Sequence, residues 1–253
     1  MLMSMLLTRK IAALDSKKTY SSCHKVYVAD YLGVVPYEPA LKLQQRVAQA
    51  RAEGFIPDVV LLLQHPPVFT VGRFRGEKDI IVPPEVLTQN GIDVFHTNRG
   101  GSITYHGPGQ LVSYPVLNLK ENGLGVREYI RRLEEVIIKL LLTLGIQGHR
   151  VAEYPGGVWV GDKKICSVGI HVSHYITLHG LALNVNTDLR YFEYINPCGI
   201  KGHVMTSISK ILGNPVELED IIEAFLDSFS ETFGLRHERG LEKCLNILDA
   251  LSG

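Results

Sequence analysis

The feature that most constrains this chain is the segment Val126 to Leu144. Val126, Tyr129, Ile130, Leu133, Val136, Ile137, Leu140 and Leu144 recur at helical spacing, and Arg127, Arg131, Glu134, Glu135 and Lys139 fall between them. Gly145 follows as a stop. Such a helix must lay its apolar face on something, and the neighbouring segments supply strands. Asp58 to Gln64 (DVVLLLQ) is apolar on both faces of a strand and ends at His65-Pro66-Pro67, with His65 read as a loop residue. Val26 to Leu32, Leu111 to Leu117, Val158 to Val160, Lys164 to Val172 and Leu178 to Val185 read as further strands. Pro39 to Glu53 reads as a helix with Leu43, Val47 and Ala50 on one face and Gly54 as its stop, and Leu218 to Phe233 and Leu241 to Leu251 as two late ones. Long helices between β-rich runs without regular βαβ spacing predict an α/β or α+β fold, a mixed sheet flanked by helices.

Composition bounds the function classes. The 253 residues carry 26 Lys+Arg against 26 Asp+Glu, so no global field draws the chain to nucleic acid or an anionic membrane. Apolar runs such as Ile137-Ile138 are cut by charges far short of the roughly 18 residues a span needs. Residues 1–24 read as a flexible extension, 25–235 as the catalytic domain and 236–253 as a C-terminal helix, the last forty or so residues forming a helical appendage. Residues 1–20 hold one Arg and no A-x-A site, which fits neither a secretory signal nor an Arg-rich transit peptide, so the expected location is the cytoplasm, with an organellar form as the other reading. Four scattered cysteines without C-x-x-C (Cys23, Cys166, Cys198, Cys244) predict reactive or buried thiols rather than disulfides.

Three segments concentrate the chemistry. Arg99 to Gln110 packs four glycines and a proline around Arg99, Tyr105 and His106, the mark of a backbone held close to a ligand, yet matches no nucleotide fingerprint. Gly161 to Val172 places Lys164 at the start of an apolar strand, where a cation can depress a thiol's pKa. Alternation puts Lys163 on the opposite, solvated face and Cys166 on the face of Lys164, so Cys166 competes for the role of nucleophile. Tyr194 to Ile200 holds Cys198 in Asn-Pro-Cys-Gly, a turn that exposes a side chain beside free backbone N–H groups. Cys166, flanked by apolar neighbours, reads better as a small buried residue, and Cys244 lies on the apolar face of the last helix. His171, His174 and His179 fit no zinc spacing and read as structural, and no metal or cofactor is expected. His179, beside Gly180, is the most interesting of them. Arg73, Arg75 and Lys78 form a candidate basic patch, diluted by Glu77 and Asp79.

Together QHPPVFTVGR, RGGSITYHGPGQ, GVWVGDKKICSVGI, LHGLALNV and INPCG, in this order over about Val26 to Lys210, resemble the lipoyl(octanoyl) transferase family. The resemblance implies the fold of biotin and lipoate protein ligase catalytic domains. It implies octanoyl transfer from acyl carrier protein to a lysine of a lipoyl domain, such as those of 2-oxoacid dehydrogenase E2 subunits or the glycine cleavage H protein. The acyl-thioester cysteine falls on Cys198 and the lysine that lowers its pKa on Lys164. Acyl-binding stretches fall on Arg99, Gly100, Gly101, Ser102, Ile103, Thr104, Tyr105 and His106, on Ser167, Val168 and Gly169, and on Gly180, Leu181 and Ala182. A thioester donor is already activated, so this chemistry needs no ATP and no metal. An ATP-dependent ligase on the same fold, a cysteine amidase or thioesterase, and a non-catalytic binding module are the rival readings.

Overall fold

The computed structural model describes residues 25–74, 77–196 and 205–252. Among these residues, ten strands form two sheets. The larger runs in the order β10 (Arg236–Glu238), β1 (Val26–Val34), β2 (Asp58–Gln64), β6 (Gln110–Val116), β9 (Ile176–Asn184), β8 (Lys163–Ser173), β7 (Gly157–Val160). β10, β1 and β2 are mutually parallel and the remaining pairings antiparallel, so the sheet is mixed, as expected. A second sheet sets β3 (Val68–Val71) between β4 (Asp93–His96), parallel, and β5 (Ile103–His106), antiparallel.

The large sheet is covered on both faces, which explains why β2 shows no alternation. Val60 and Leu62 face a core built with α3 (Val126–Thr143) and α5 (Leu218–Phe233), through Tyr129, Leu133, Val136, Ile137, Phe225 and Phe229. Val59, Leu61 and Leu63 face the other core, with Ala40 and Val47 of α1 (Tyr37–Ala52) and Leu241, Cys244 and Leu248 of α6 (Leu241–Ser252). Helix α2 (Pro84–Gln89) closes a third core over the small sheet, where Leu87 meets Phe69, Tyr105 and Phe192. A short α4 (Ile208–Leu212) starts on the Ser207 side chain, which accepts from Lys210 N. β8 and β9 are joined by His174-Tyr175, both at positive φ, the two-residue turn whose twist suits a hairpin.

Two expectations are corrected. The last forty or so residues do more than append helices, since β10 pairs with β1 and α6 completes a core. Glu134, assigned to the solvated face of its helix, is buried. It accepts from Gly156 N at 3.1 Å, Gly157 N at 3.2 Å and Arg150 Nε at 2.9 Å, holding the start of β7 against α3.

Candidate functional site

Between the two sheets lies a cavity of about 730 Å³, open solvent at its mouth included. One wall is the loop and strand from Arg99 to Thr104, with His106. The other is Ser167, Val168 and Gly169 of β8 and His179 to Ala182 of β9. Tyr37, Tyr114, Lys164 and Met205 complete the lining. The loop is tied across the gap by Gly100 N donating to Ile170 O at 2.9 Å.

Thus Arg99, Gly100, Gly101, Ser102, Ile103, Thr104, His106, Ser167, Val168, Gly169, Gly180, Leu181, Ala182 and Lys164 converge on one space. Tyr105 does not. Its ring stacks on Tyr191 at 5.0 Å and meets Phe69 and Phe192 edge-on, because on β5 it points into the third core. Cys198 lies outside the described residues, as do Cys23, Arg75 and the N-terminal extension.

Lys164 is 8% exposed. Its carbonyl accepts from Thr206 N at 2.9 Å, and its backbone forms a parallel bridge with Met205. Room for its side chain comes from Gly157 on the facing strand, where a Cβ would overlap Lys164 Cε. The alternation expected along Lys164 to Cys166 fails. A bulge opposite Val158 and Trp159 breaks the register, and Ile165 and Cys166 both enter the core under α3. Burial pushes the Cys166 thiol up to about 12, against a lowering by the charge of Lys164, so it stays a protonated thiol.

The polar members of the cavity are held neutral or anchored. Burial drives His106 well below the ordinary histidine range, and His65, Arg99 and His179 add to the effect. His179 is carried down to about 3 by burial first, then by the charge of Arg99 and by His171 and Arg73. It adopts φ +58° inside β9, a strained conformation for a side chain with a Cβ. Gln44 of α1 accepts its N–H at 2.9 Å, and its Nε2 pairs with Asn98 Oδ1 at 2.6 Å. The kink and the adjacent Gly180, where a Cβ would overlap Ser113 O, bring β9 close to β6. His65 is a loop residue as read, but a fully buried one, bonded to Val35 O and Tyr114 Oη.

Of the basic patch, Arg73 is exposed and donates to His171 Nδ1, and Lys78 is exposed. Asp79 is no surface diluent. It is 5% exposed, accepts from Ser102 Oγ at 2.8 Å, and its carbonyl accepts from Asn196 N at 2.7 Å. Among the described residues, no three His, Cys, Asp or Glu side chains are placed to hold a metal ion, and no helix is long and apolar enough to cross a membrane.

Sequence reasoning missed Tyr37, Tyr114 and Met205 as lining residues, and Gly157. The first three come from elements distant in sequence, whereas Gly157 opens the neighbouring strand that faces Lys164, and a glycine at that point was the one signal available.

Residues 36–230 match the family model described as the lipoyl protein ligase A/B catalytic domain. Among curated relatives, the octanoyltransferase of Caldicellulosiruptor saccharolyticus is 44% identical over 207 residues, 81% of this chain and 88% of that one. That of Desulforamulus reducens is 40% identical over 223 residues, 88% and 97%. Among solved structures, a bi-partite lipoate protein ligase from Thermoplasma acidophilum superposes with TM-score 0.69 at 18% identity, covering 90% of this chain and 92% of that one. A biotin protein ligase from Aquifex aeolicus gives 0.51 at 13%, covering 82% and 70%. These two likenesses concern the fold. The motifs, the cavity they line and the extent of these matches agree: the chain belongs to the lipoyl protein ligase A/B catalytic-domain family and, within it, to the octanoyltransferases, which are acyltransferases.

Proposed function

We propose that this enzyme, acting in the cytoplasm, moves an octanoyl group from octanoyl-acyl carrier protein to a lysine of a lipoyl domain by way of a thioester on Cys198. The E2 subunits of 2-oxoacid dehydrogenases and the glycine cleavage H protein are the acceptors. The observation that carries the reading is how the flanks of the Asn-Pro-Cys-Gly segment are fastened. Asn196 is bonded to Asp79, which also holds the cavity residue Ser102, and Met205 lines the cavity beside Lys164.

In this reading the Cys198 thiolate attacks the octanoyl thioester and releases the carrier's thiol. The acyl chain lies along Ile103, Val168, Leu181 and Ala182, with Gly100, Gly101, Gly169 and Gly180 allowing close approach. Arg99, Ser102, Thr104, His106 and Ser167 supply the polar wall. Lys164 stabilises the thiolate. The acceptor amine then attacks the acyl-enzyme, the amide forms and Cys198 is regenerated. In this reading the exposed Arg73 is the group that meets an acidic carrier.

Intact-mass measurement after incubation with octanoyl-acyl carrier protein tests this. The protein should gain one octanoyl group, lose it on addition of a lipoyl domain, and fail to gain it as Cys198→Ser, while Cys166→Ser still acylates. An octanoylated Cys198→Ser protein would refute the assignment.

A further inference from the structure

A single line of buried hydrogen bonds runs from the loop wall of the cavity to the backbone of Lys164. Arg99 donates through Nε (3.2 Å) and Nη2 (2.9 Å) to Thr70 Oγ1. Thr70 Oγ1 meets His106 Nε2 at 3.3 Å, and His106 Nδ1 meets Gln110 Oε1 at 2.8 Å. Gln110 Nε2 donates to Asn184 Oδ1 at 2.9 Å and to Tyr105 O at 3.2 Å. Asn184 Nδ2 donates to Thr206 O at 3.0 Å, and Thr206 N donates to Lys164 O at 2.9 Å. Every member, Arg99, Thr70, His106, Gln110, Asn184, Thr206 and Lys164, is buried.

The two ends fix the direction of the side-chain bonds. A guanidinium can only donate, so the Thr70 hydroxyl accepts from Arg99 and turns its proton to His106 Nε2. His106 must then carry its own proton on Nδ1, which suits the Gln110 carbonyl oxygen. Gln110 offers its amide hydrogens to Asn184, and Asn184 offers its own to the Thr206 carbonyl, which can only accept. Arg99 at one end and a backbone carbonyl at the other leave one consistent arrangement, and it needs a neutral His106. The charged and titratable groups around that ring, Arg99, His65 and His179, together with burial, all disfavour its protonation.

We infer that this chain of bonds is a positioning device, in which Gln110 and Asn184 set Thr206 and Lys164 for acyl transfer. The inference rests on the thioester reading above. Neither residue lines the cavity, so their loss acts on geometry rather than on acyl contact. A fully satisfied buried polar network holds its members in one arrangement.

The test compares Asn184→Ala, Gln110→Met, Thr70→Val and Thr70→Ser with Ser113→Ala, a buried polar change outside the chain. Three quantities are read on the full-length protein: the rate of octanoyl-enzyme formation in a single turnover, the KM for octanoyl-acyl carrier protein, and the pH midpoint of Cys198 alkylation. Asn184→Ala and Gln110→Met should form the adduct at least about tenfold more slowly with little change in KM, and the midpoint should rise by a part of the roughly one to three units a nearby cation supplies. Thr70→Ser keeps the hydroxyl and should behave as the parent, whereas Thr70→Val should be slowed. Ser113→Ala should change neither rate nor midpoint. Lower melting temperatures with an unmoved midpoint would overturn the inference and leave a stabilising role alone. Should the two amide variants not fold, the Thr70 pair decides, and equal rates for Val and Ser would overturn it. Adduct on Cys198→Ser would instead bring down the thioester reading.

Discussion

Gly157→Ala is the sharpest perturbation, because it moves the Lys164 side chain without touching its chemistry. A Cβ at 157 would overlap Lys164 Cε and sit 2.9 Å from Nζ and 3.0 Å from Cys166 O. The ammonium must retreat by about 1 Å to restore ordinary contact, with an overpacking cost of about 1–3 kcal/mol. For an ammonium about 4 Å from a thiolate at an effective dielectric of about 20, that retreat weakens the attraction by about 0.8 kcal/mol. This corresponds to about 0.6 of a pH unit in the thiol's titration. Lys164→Met removes the charge and should raise it by at least about one unit. Iodoacetamide alkylation of Cys198 against pH, on the parent and both variants, gives the three midpoints. The expected order is parent, Gly157→Ala, Lys164→Met. Lys163→Met, whose side chain lies on the other side of the strand's start, should coincide with the parent. A Gly157→Ala protein that melts lower but alkylates along the parent's curve would refute the idea that this glycine positions the lysine. An unmoved midpoint in Lys164→Met would remove the lysine from thiol activation altogether.

Other expectations follow from the buried polar groups. His65 is held neutral in the fold, with its pKa down to about 4 from 6.5, so the unfolded chain binds the extra proton first as pH falls. Its contribution is therefore neutral above about pH 6.5 and costs stability between about pH 6.5 and 4, reaching about 3 kcal/mol. Urea unfolding at pH 7 and pH 5 should show a smaller drop for His65→Gln than for the parent, and an equal drop would refute this. Glu134→Ala strands the buried N–H of Gly157 and the half-buried N–H of Gly156 and removes a carboxylate partner of Arg150, and should cost about 3 kcal/mol in chemical denaturation. A loss under about 1 kcal/mol would show that water or another acceptor replaces the carboxylate. Tyr105→Phe keeps the aromatic packing of a ring that faces away from the cavity, so octanoyl transfer should stay within about twofold of the parent. A larger loss would return Tyr105 to the binding wall.

Local periodicity made the helices and most strands readable. DVVLLLQ announced a strand covered on both faces, and Gly54 and Gly145 marked helix ends because both take positive φ after the last helical turns. The site was readable where its residues are contiguous, as in Arg99 to Thr104 or Ser167 to Gly169, which line one cavity. What stayed illegible depends on register and on distant partners. The bulge before Cys166 inverts an alternation argument and cannot be seen without the facing strand. Glu134 looked solvated because helical spacing placed it among charges, and its partners Gly156 and Gly157 lie more than twenty residues away. Tyr105 sat inside a binding motif yet serves the small sheet's core, since β5 turns alternate residues to opposite sides.

The pairing of β10 with β1 bears on how the chain is made. The first described strand gains its outer neighbour only from Arg236–Glu238, and Asp30 on β1 receives Gly240 N and Leu241 N from the turn into α6. During synthesis β1 and β2 can pair early, but the other edge of β1 stays open until about two hundred further residues have left the ribosome, roughly ten to forty seconds at ordinary elongation rates. An open apolar edge such as VYVADYLGV offers its backbone to any strand that meets it, including another nascent copy. A chain cut short before Arg236 would keep the cavity residues and still carry that unpaired edge. The three residues of β10 thus act as a seal, and their absence would be felt first as aggregation rather than as lost chemistry.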